Sequence, residues 1–156
     1  MPNLIFNGYK GASIGVLTSG TPVARVDFLS DTLKVMLVTS AYTASAADRF
    51  VSSAAGAEIS VSGYVGGFGG AGRLALASRT LTVDDAGNRA LANAAGLTWT
   101  ALGSGATIAA AILFKELTSD ALSPMVAYFA VTATPTNGGN ISIVWSSSPA
   151  ALISLT

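Results

Sequence analysis

The chain contains no cysteine, no histidine and very few charged residues. Of its 156 residues, eight are Lys or Arg and eight are Asp or Glu, so 10% of the sequence is charged and the formal net charge is zero. The absence of cysteine excludes disulfides and thiolate metal sites, and the absence of histidine removes the base of a Ser-His-Asp triad. Balanced charge also argues against nucleic acid as a partner, because phosphate binding needs a basic surface.

The scarcity of charge predicts a surface that other protein chains cover. Ordinary soluble domains are about 25% charged. A folded monomer of this size exposes roughly 7,000 Å², which is about 450 Å² for each charge, against about 190 Å² at ordinary composition. With no net charge either, a free monomer is poorly protected against association. We therefore expect a subunit of a larger assembly, and copies of the chain itself are among the expected partners.

Long apolar runs are also absent. The longest, residues 106–114, is half of the roughly 18 residues that a membrane-spanning helix needs, so no membrane partner is expected. Residues 1–10 lack the basic and apolar regions of a signal peptide. Together with the lack of cysteine, this pattern favours synthesis in a reducing cytoplasm.

The pattern of apolar residues predicts an all-β fold: a single-domain β-sandwich or barrel-like fold of about seven or eight short strands, one short helix and an irregular N-terminal arm. Segments 33–39 and 125–131 are apolar on both faces, as central strands are. Segments 97–101 and 141–145 alternate between apolar and small or polar residues, as half-buried strands do. Segment 107–114 has the alanines of a helix, but its β-branched residues and flanking turns favour a strand.

Residues 1–31 are interpreted as an extended arm or lead-in, and residues 32–156 as the β-sandwich domain. Glycines interrupt the first segment, in which an edge strand is predicted near 23–28. Two alternatives stay open for this segment: loops on the domain's own surface, or an arm that reaches a neighbour. Ser45 and Asp48 form a weak capping-box pattern that predicts a short helix ending at Gly56. The turn formers of 84–88 predict a β-hairpin.

Two motifs typical of enzymes occur in unsuitable contexts. Ser13 lies in a G-x-S-x-G match, residues 11–15, but no histidine is present to activate it. Residues 67–72 match G-x-G-x-x-G, but a strand pattern follows where the fingerprint requires a helix. The glycine-rich segment 63–72 is therefore predicted to be a flexible loop, or one that is ordered only against a partner.

No residue qualifies as a catalytic, cofactor-binding or metal-binding residue, and no cofactor is expected. Asp84, Asp85 and Asn88 could supply oxygen ligands to Ca²⁺, but the EF-hand spacing is missing and a hairpin turn explains them. The aromatic residues lie on strand patterns, which indicates core packing; they are Trp99, Phe114, Tyr128, Phe129 and Trp145. We therefore do not expect an enzyme, and a hydrolase built on an acidic pair is the only version left open.

Several segments together resemble small virion proteins of tailed bacteriophages. The opening strand, 33–43, resembles the pattern K-V-x-L-x-T-S-x-Y-T, and the similarity continues through 81–84, 97–100, 111–115, 122–129 and 141–145. It covers roughly residues 32–156 and consists of strands and turns. The resemblance implies a β-fold attached to a capsid and brings no catalytic or cofactor residues.

The expected function is therefore that of a virion structural protein, and specifically a capsid decoration, or cement, protein at the capsid surface. It would bind across subunits of the major capsid protein and stabilise the head, as a homo-oligomer for which a trimer is one arrangement, with residues 1–31 as a candidate clamp. The alternatives are a tail-tube, connector or fibre-base protein. A host-binding or carbohydrate-binding module ranks lower, because it needs an exposed aromatic platform.

Overall fold

The computed structural model describes residues 3–14, 22–145 and 152–155. Within these residues the chain forms ten strands and one α-helix, which confirms the all-β fold with a short helix. The strand number exceeds the predicted seven or eight because several ladders are only two or three residues long. The elements are β1 (Leu4–Ile5), α1 (Asn7–Ile14), β2 (Leu33–Val38), β3 (Leu74–Ala75), β4 (Thr80–Asp84), β5 (Arg89–Asn93), β6 (Leu97–Trp99), β7 (Thr107–Lys115), β8 (Met125–Pro135), β9 (Ile141–Ile143) and β10 (Ile153–Leu155).

The centre of the molecule is a five-stranded antiparallel sheet in the order β1-β8-β7-β2-β3. In β2, Val35 and Leu37 belong to one buried cluster, whereas Met36 and Val38 belong to another. Because side chains alternate along a strand, these two clusters lie on opposite faces of the sheet. β2 is therefore covered on both faces, as its sequence predicted, and segment 107–114 is a strand.

Two smaller sheets complete the larger core. The orders are β10-β5-β4 and β6-β9, and their residues Ala92, Leu97 and Trp99 join the cluster that contains Val35 and Leu37. On the opposite face of the central sheet, Phe6 and segment 42–57 cover the second cluster. That segment includes two single-turn 3-10 helices, Val51–Ser53 and Ala55–Ala57.

The helix predicted between Ser45 and Gly56 does not form. Only half of its capping box is present: Asp48 Oδ2 accepts the Ser45 N–H at 3.0 Å, but the Ser45 hydroxyl accepts the N–H of Ala47 and not that of Asp48, and the segment closes only a turn. Farther along, the backbone N–H of Val51 donates to the carbonyl oxygen of Ser123, outside the segment. The tertiary hydrogen bond replaces the helical one, so the chain forms short 3-10 turns.

The N-terminal segment packs on the sheet. β1 pairs with β8, with Leu4 opposite Tyr128, and Phe6 is fully buried. The helix α1 was not predicted, because Gly8 and Gly11 lower its intrinsic propensity. Residues 23–28 form no strand. The described residues 3–14 thus pack against the central sheet. Residues 15–21 lie outside the described residues, and the division into a segment 1–31 and a domain 32–156 stays a prediction.

Candidate functional site

A buried ionic cluster joins three segments at Arg73. The Arg73 side chain is 0% exposed and that of Glu58 is 5% exposed. Arg73 Nε and Nη2 donate to the two oxygens of Glu58 at 2.9 and 2.7 Å, while Nη1 and Nη2 donate to the carboxylate of Asp120 at 2.6 and 3.0 Å. The guanidinium carbon also lies 5.4 Å from the centre of the Phe114 ring. Such forked pairing with two carboxylates is specific to arginine.

Neighbouring groups complete the hydrogen bonding of Glu58. The Tyr64 hydroxyl donates to Glu58 Oε1 at 2.8 Å and accepts the Leu37 N–H at 3.1 Å, and the Gly67 N–H donates to Glu58 Oε2 at 2.8 Å. Burial and the charge of Glu58 raise the pKa of Tyr64 far above its ordinary value. Burial alone would lower the pKa of Arg73, but the hydrogen bonds that Arg73 donates to Glu58 and Asp120 outweigh it and raise that pKa. Arg73 is therefore a permanent cation with paired anions.

The ionic cluster and close packing hold the glycine-rich loop 63–72 in place. A Cβ on Gly70 would lie 2.2 Å from the carbonyl oxygen of Val65, and a Cβ on Gly72 would lie 2.7 Å from the Tyr64 ring. The indole N–H of Trp99 donates to the Gly72 carbonyl oxygen at 2.6 Å. Only glycine fits these two positions without movement of the backbone or ring. The loop is thus ordered against its own domain, contrary to the expectation of a flexible or partner-ordered segment.

This ordered loop exposes two large apolar side chains. Val65 is 64% exposed and Phe68 is 51% exposed, although the loop between them is fixed through Gly67 and Glu58. We call Val65 and Phe68 the loop surface. An apolar side chain on a loop that is already ordered can bind a partner with little loss of conformational entropy.

A second apolar surface lies on the small sheet. Leu81 and Val83 on β4 are exposed, as is Leu29, and Leu29 and Leu81 line the same cavity of about 410 Å³. We call these three residues the edge surface. Seven large apolar side chains are exposed in the described chain, and five of them belong to the loop surface or the edge surface. These exposed apolar side chains on two local segments are candidates for an interaction surface.

The predicted motif residues have local structural partners. Ser13 lies on α1, where its hydroxyl donates to the Tyr9 carbonyl oxygen at 2.8 Å. The carboxylate of Asp84 accepts the Gly87 N–H at 2.9 Å and Arg89 Nε at 2.8 Å, so the predicted hairpin turn occupies it. The hydrogen bonds from Gly87 and Arg89 lower the pKa of Asp84.

Both tryptophans are buried, as their strand patterns predicted. Trp99 donates to the backbone within the core, and Trp145 donates to the Ala95 carbonyl oxygen at 2.9 Å while packing 5.2 Å from the ring of Phe129. Phe114 is fully buried. Phe68 was not singled out from the sequence, because a lone aromatic in a glycine-rich segment carries no periodic signal.

More than half of the charged residues form ion pairs within the chain. All sixteen charged residues lie in the described part of the chain, and nine form ion pairs: Asp31, Lys34, Glu58, Arg73, Asp84, Arg89, Lys115, Glu116 and Asp120. The sequence analysis did not predict the pairing of Glu58 with Arg73. The usable signal was the isolation of each charge beside apolar residues, which favours a buried partner.

Comparisons with protein-family models, with curated proteins and with solved structures find no match. Across residues 3–14, 22–145 and 152–155, no helix is long and apolar enough to cross a membrane. The same residues contain no group of three or more acidic, histidine or cysteine side chains placed to hold a metal ion. In the described residues, the loop surface and the edge surface are the candidate functional sites.

Proposed function

We propose that the protein is a virion structural protein, most specifically a capsid decoration protein that binds across major capsid protein subunits. The observation that carries the proposal is the loop surface: Val65 and Phe68 are exposed on a loop that a buried ionic cluster holds in one conformation. Exposed apolar side chains on a loop of fixed conformation can bind in a preformed apolar groove of a partner protein. Repeated over a rigid lattice, modest contacts give strong attachment.

The distribution of charge supports association with other proteins. Nine of sixteen charges are paired within the chain, so the outer surface is even poorer in free charge than the composition indicates. Residues 122–156 contain no charged residue. This uncharged C-terminal part supplies core near its start, where Met125 to Tyr128 are buried. Farther along β8, Thr132 and Ala133 are exposed, which leaves part of this uncharged strand on the surface.

The described N-terminal residues do not support the clamp that the sequence suggested. Phe6 and Tyr9 are buried, and β1 is paired with β8, so release of residues 3–14 would expose core. The proposal therefore places the first contact at the loop surface. A second candidate function is that of a tail-tube, connector or fibre-base subunit. It would use the same apolar surface, but it predicts far fewer copies of the protein in each particle than decoration does.

The test uses particles of the virus that encodes the chain. Hundreds of copies per particle on the head support decoration, whereas about a dozen or fewer at one vertex support the tail or connector alternative. Particles that lack the protein should then be loaded with the purified chain or with the Val65→Ser, Phe68→Ser double variant. Lower occupancy for the double variant, with normal occupancy for Val144→Ser, is the expected result. Equal occupancy for all three proteins would remove the loop surface from the proposal.

A further inference from the structure

We propose that two copies of the chain pair through the free edge of β4, antiparallel and around a two-fold axis at Thr82, to form a continuous six-stranded sheet. This inference deepens the proposed function, because it identifies the surface through which copies associate. The sheet order β10-β5-β4 places β4 at an edge. Of the strands that end a sheet in the described chain, β4 is the longest, with five residues against two or three for the others.

The edge of β4 lacks the features that protect edges in monomeric proteins. Natural edge strands carry charged side chains, especially lysine, or proline, are interrupted by bulges, or are very short. The charged residue of β4, Asp84, stands at the end of the strand and is paired with Arg89. Residues 80–84 contain neither lysine nor proline, and their pairing with β5 runs without a register shift from Thr80 to Asp84. Four consecutive residues, 80–83, are exposed, so both faces of the strand are accessible. This strand therefore offers backbone hydrogen-bonding groups to a partner strand.

The sequence around β4 is complementary to itself. Leu81 and Val83 lie on one face of β4, and the residues two positions before and after them, Arg79 and Asp85, lie just beyond the two ends of the strand. The order along the chain is thus a cation, two apolar residues and an anion. An antiparallel copy centred on Thr82 places Leu81 opposite Val83 of the second copy and Arg79 opposite its Asp85. A parallel arrangement would instead align like charges, which is unfavourable. Charge complementarity therefore selects the antiparallel pair.

The surroundings of Arg79 and Asp85 agree with this register. Arg79 Nη1 donates to the carbonyl oxygens of Phe28 and Asp31, and Phe28 lines the same cavity as Leu81. The guanidinium thus lies on the side of the sheet that carries Leu81. Asp85 is exposed, and within residues 3–14, 22–145 and 152–155 neither Arg79 nor Asp85 takes part in an ion pair.

Pairing would also cover the edge surface. Opposite residues of an antiparallel pair have their Cβ atoms about 5 Å apart, so Leu81 and Val83 of each copy would contact those of the other. The four side chains would lie beside the mouth of the cavity that Leu29 and Leu81 line. A two-fold contact of this kind closes on itself and gives a defined dimer.

Disulfide trapping tests the register, because the chain has no cysteine. In the proposed dimer the two Thr82 positions face each other across the axis, at a Cα separation of about 4.5–5.5 Å that allows a disulfide. Thr82→Cys should form covalent dimers under mild oxidation at least about tenfold faster than Thr132→Cys at micromolar protein, because pairing raises the effective thiol concentration to about the millimolar range. Equal rates for the two variants would overturn the proposal.

Two further substitutions separate specific pairing from random collision. Val83→Asp in the Thr82→Cys background should lower the rate to that of Thr132→Cys, whereas Val144→Asp should not; the two valines are 74% and 82% exposed. Asp85→Arg should slow trapping as well, because it faces Arg79 of the second copy. Unchanged trapping with Val83→Asp would overturn strand pairing, and unchanged trapping with Asp85→Arg would overturn the register.

Sedimentation velocity of the full chain supplies the equilibrium measurement. A concentration-dependent dimer that Val83→Asp weakens and Val144→Asp leaves intact supports the proposal, whereas a dimer indifferent to Val83→Asp contradicts it. The trapping assay contains no capsid, so its result is independent of the loop-surface test. Normal trapping with no binding to particles would remove the capsid function and leave the dimer, and the reverse result would remove the dimer alone.

Discussion

Arg73 and Asp120 lie 47 residues apart in the chain, and two hydrogen bonds of 2.6 and 3.0 Å join their side chains. The same guanidinium binds Glu58, so one cation connects the loop that follows β7 to the glycine-rich loop. Two carboxylates and one buried cation leave an excess of negative charge, which the hydroxyl of Tyr64 and the N–H of Gly67 share. Disruption at Arg73 should therefore affect both loops.

Arg73→Met should lower the free energy of unfolding by about 3–5 kcal/mol, because it leaves a buried carboxylate without its cation. Arg73→Lys should also destabilise the protein, since an ammonium cannot fork to two carboxylates. Arg89→Met is the matched control: its pair with Asp84 is much more exposed, and exposed pairs contribute little. Urea unfolding of the three variants measures the difference, and similar losses at Arg73 and Arg89 would contradict the central role of the buried cluster.

The strands could be predicted from the sequence because their information is local. β2 is apolar on both faces, and the hairpin between β4 and β5 has turn formers at residues 85–88 between two apolar segments. The ionic cluster could not be predicted, since its members are separated by 15 and 47 residues and no local pattern encodes that distance. The helix α1 was missed for a related reason. Its glycines oppose it, and its burial against the domain stabilises it.

The glycine-rich loop should tolerate no side chain at its two closest contacts. Gly70→Ala and Gly72→Ala should each lower the free energy of unfolding by about 1–3 kcal/mol, because a methyl group would overlap a carbonyl oxygen or the Tyr64 ring. Gly56→Ala is the control, since a Cβ at Gly56 meets no atom within 4 Å. Thermal unfolding compares the variants. Equal stability of all three would indicate that the loop is not packed as described.

Ala101 has a backbone conformation that glycine adopts more readily, with φ at 52°. The left-handed region costs a non-glycine residue about 1–2 kcal/mol. Replacement by glycine removes this cost, but the greater flexibility of glycine in the unfolded chain offsets part of the gain. Ala101→Gly should therefore raise the free energy of unfolding by about 0.5–1 kcal/mol. Ala86→Gly, at an exposed turn residue without positive φ, should not stabilise the protein. Chemical denaturation distinguishes the two, and a loss at Ala101 equal to that at Ala86 would refute the strain.

The four tyrosines should resist ionisation as long as the protein is folded. Burial raises the pKa values of Tyr9, Tyr42, Tyr64 and Tyr128 above the ordinary value of 10.0, and the carboxylates of Asp48 and Glu58 add to the effect at Tyr42 and Tyr64. The folded state therefore keeps its phenol protons at a pH at which the unfolded state has lost them. Stability from these groups is complete below pH 10 and declines as the pH rises further.

For each tyrosine that ionises only on unfolding, the free energy of unfolding should fall by about 1.4 kcal/mol per pH unit above pH 10. Phenolate absorbance near 295 nm should consequently appear together with the loss of near-ultraviolet circular dichroism, in one cooperative transition. Tyr64→Phe should make the pH dependence shallower, although it also removes the hydrogen bond to Glu58. Gradual phenolate formation in a protein that keeps its native spectrum would show that the tyrosine hydroxyls are accessible, and would contradict the burial of Tyr64 beside Glu58 and Arg73.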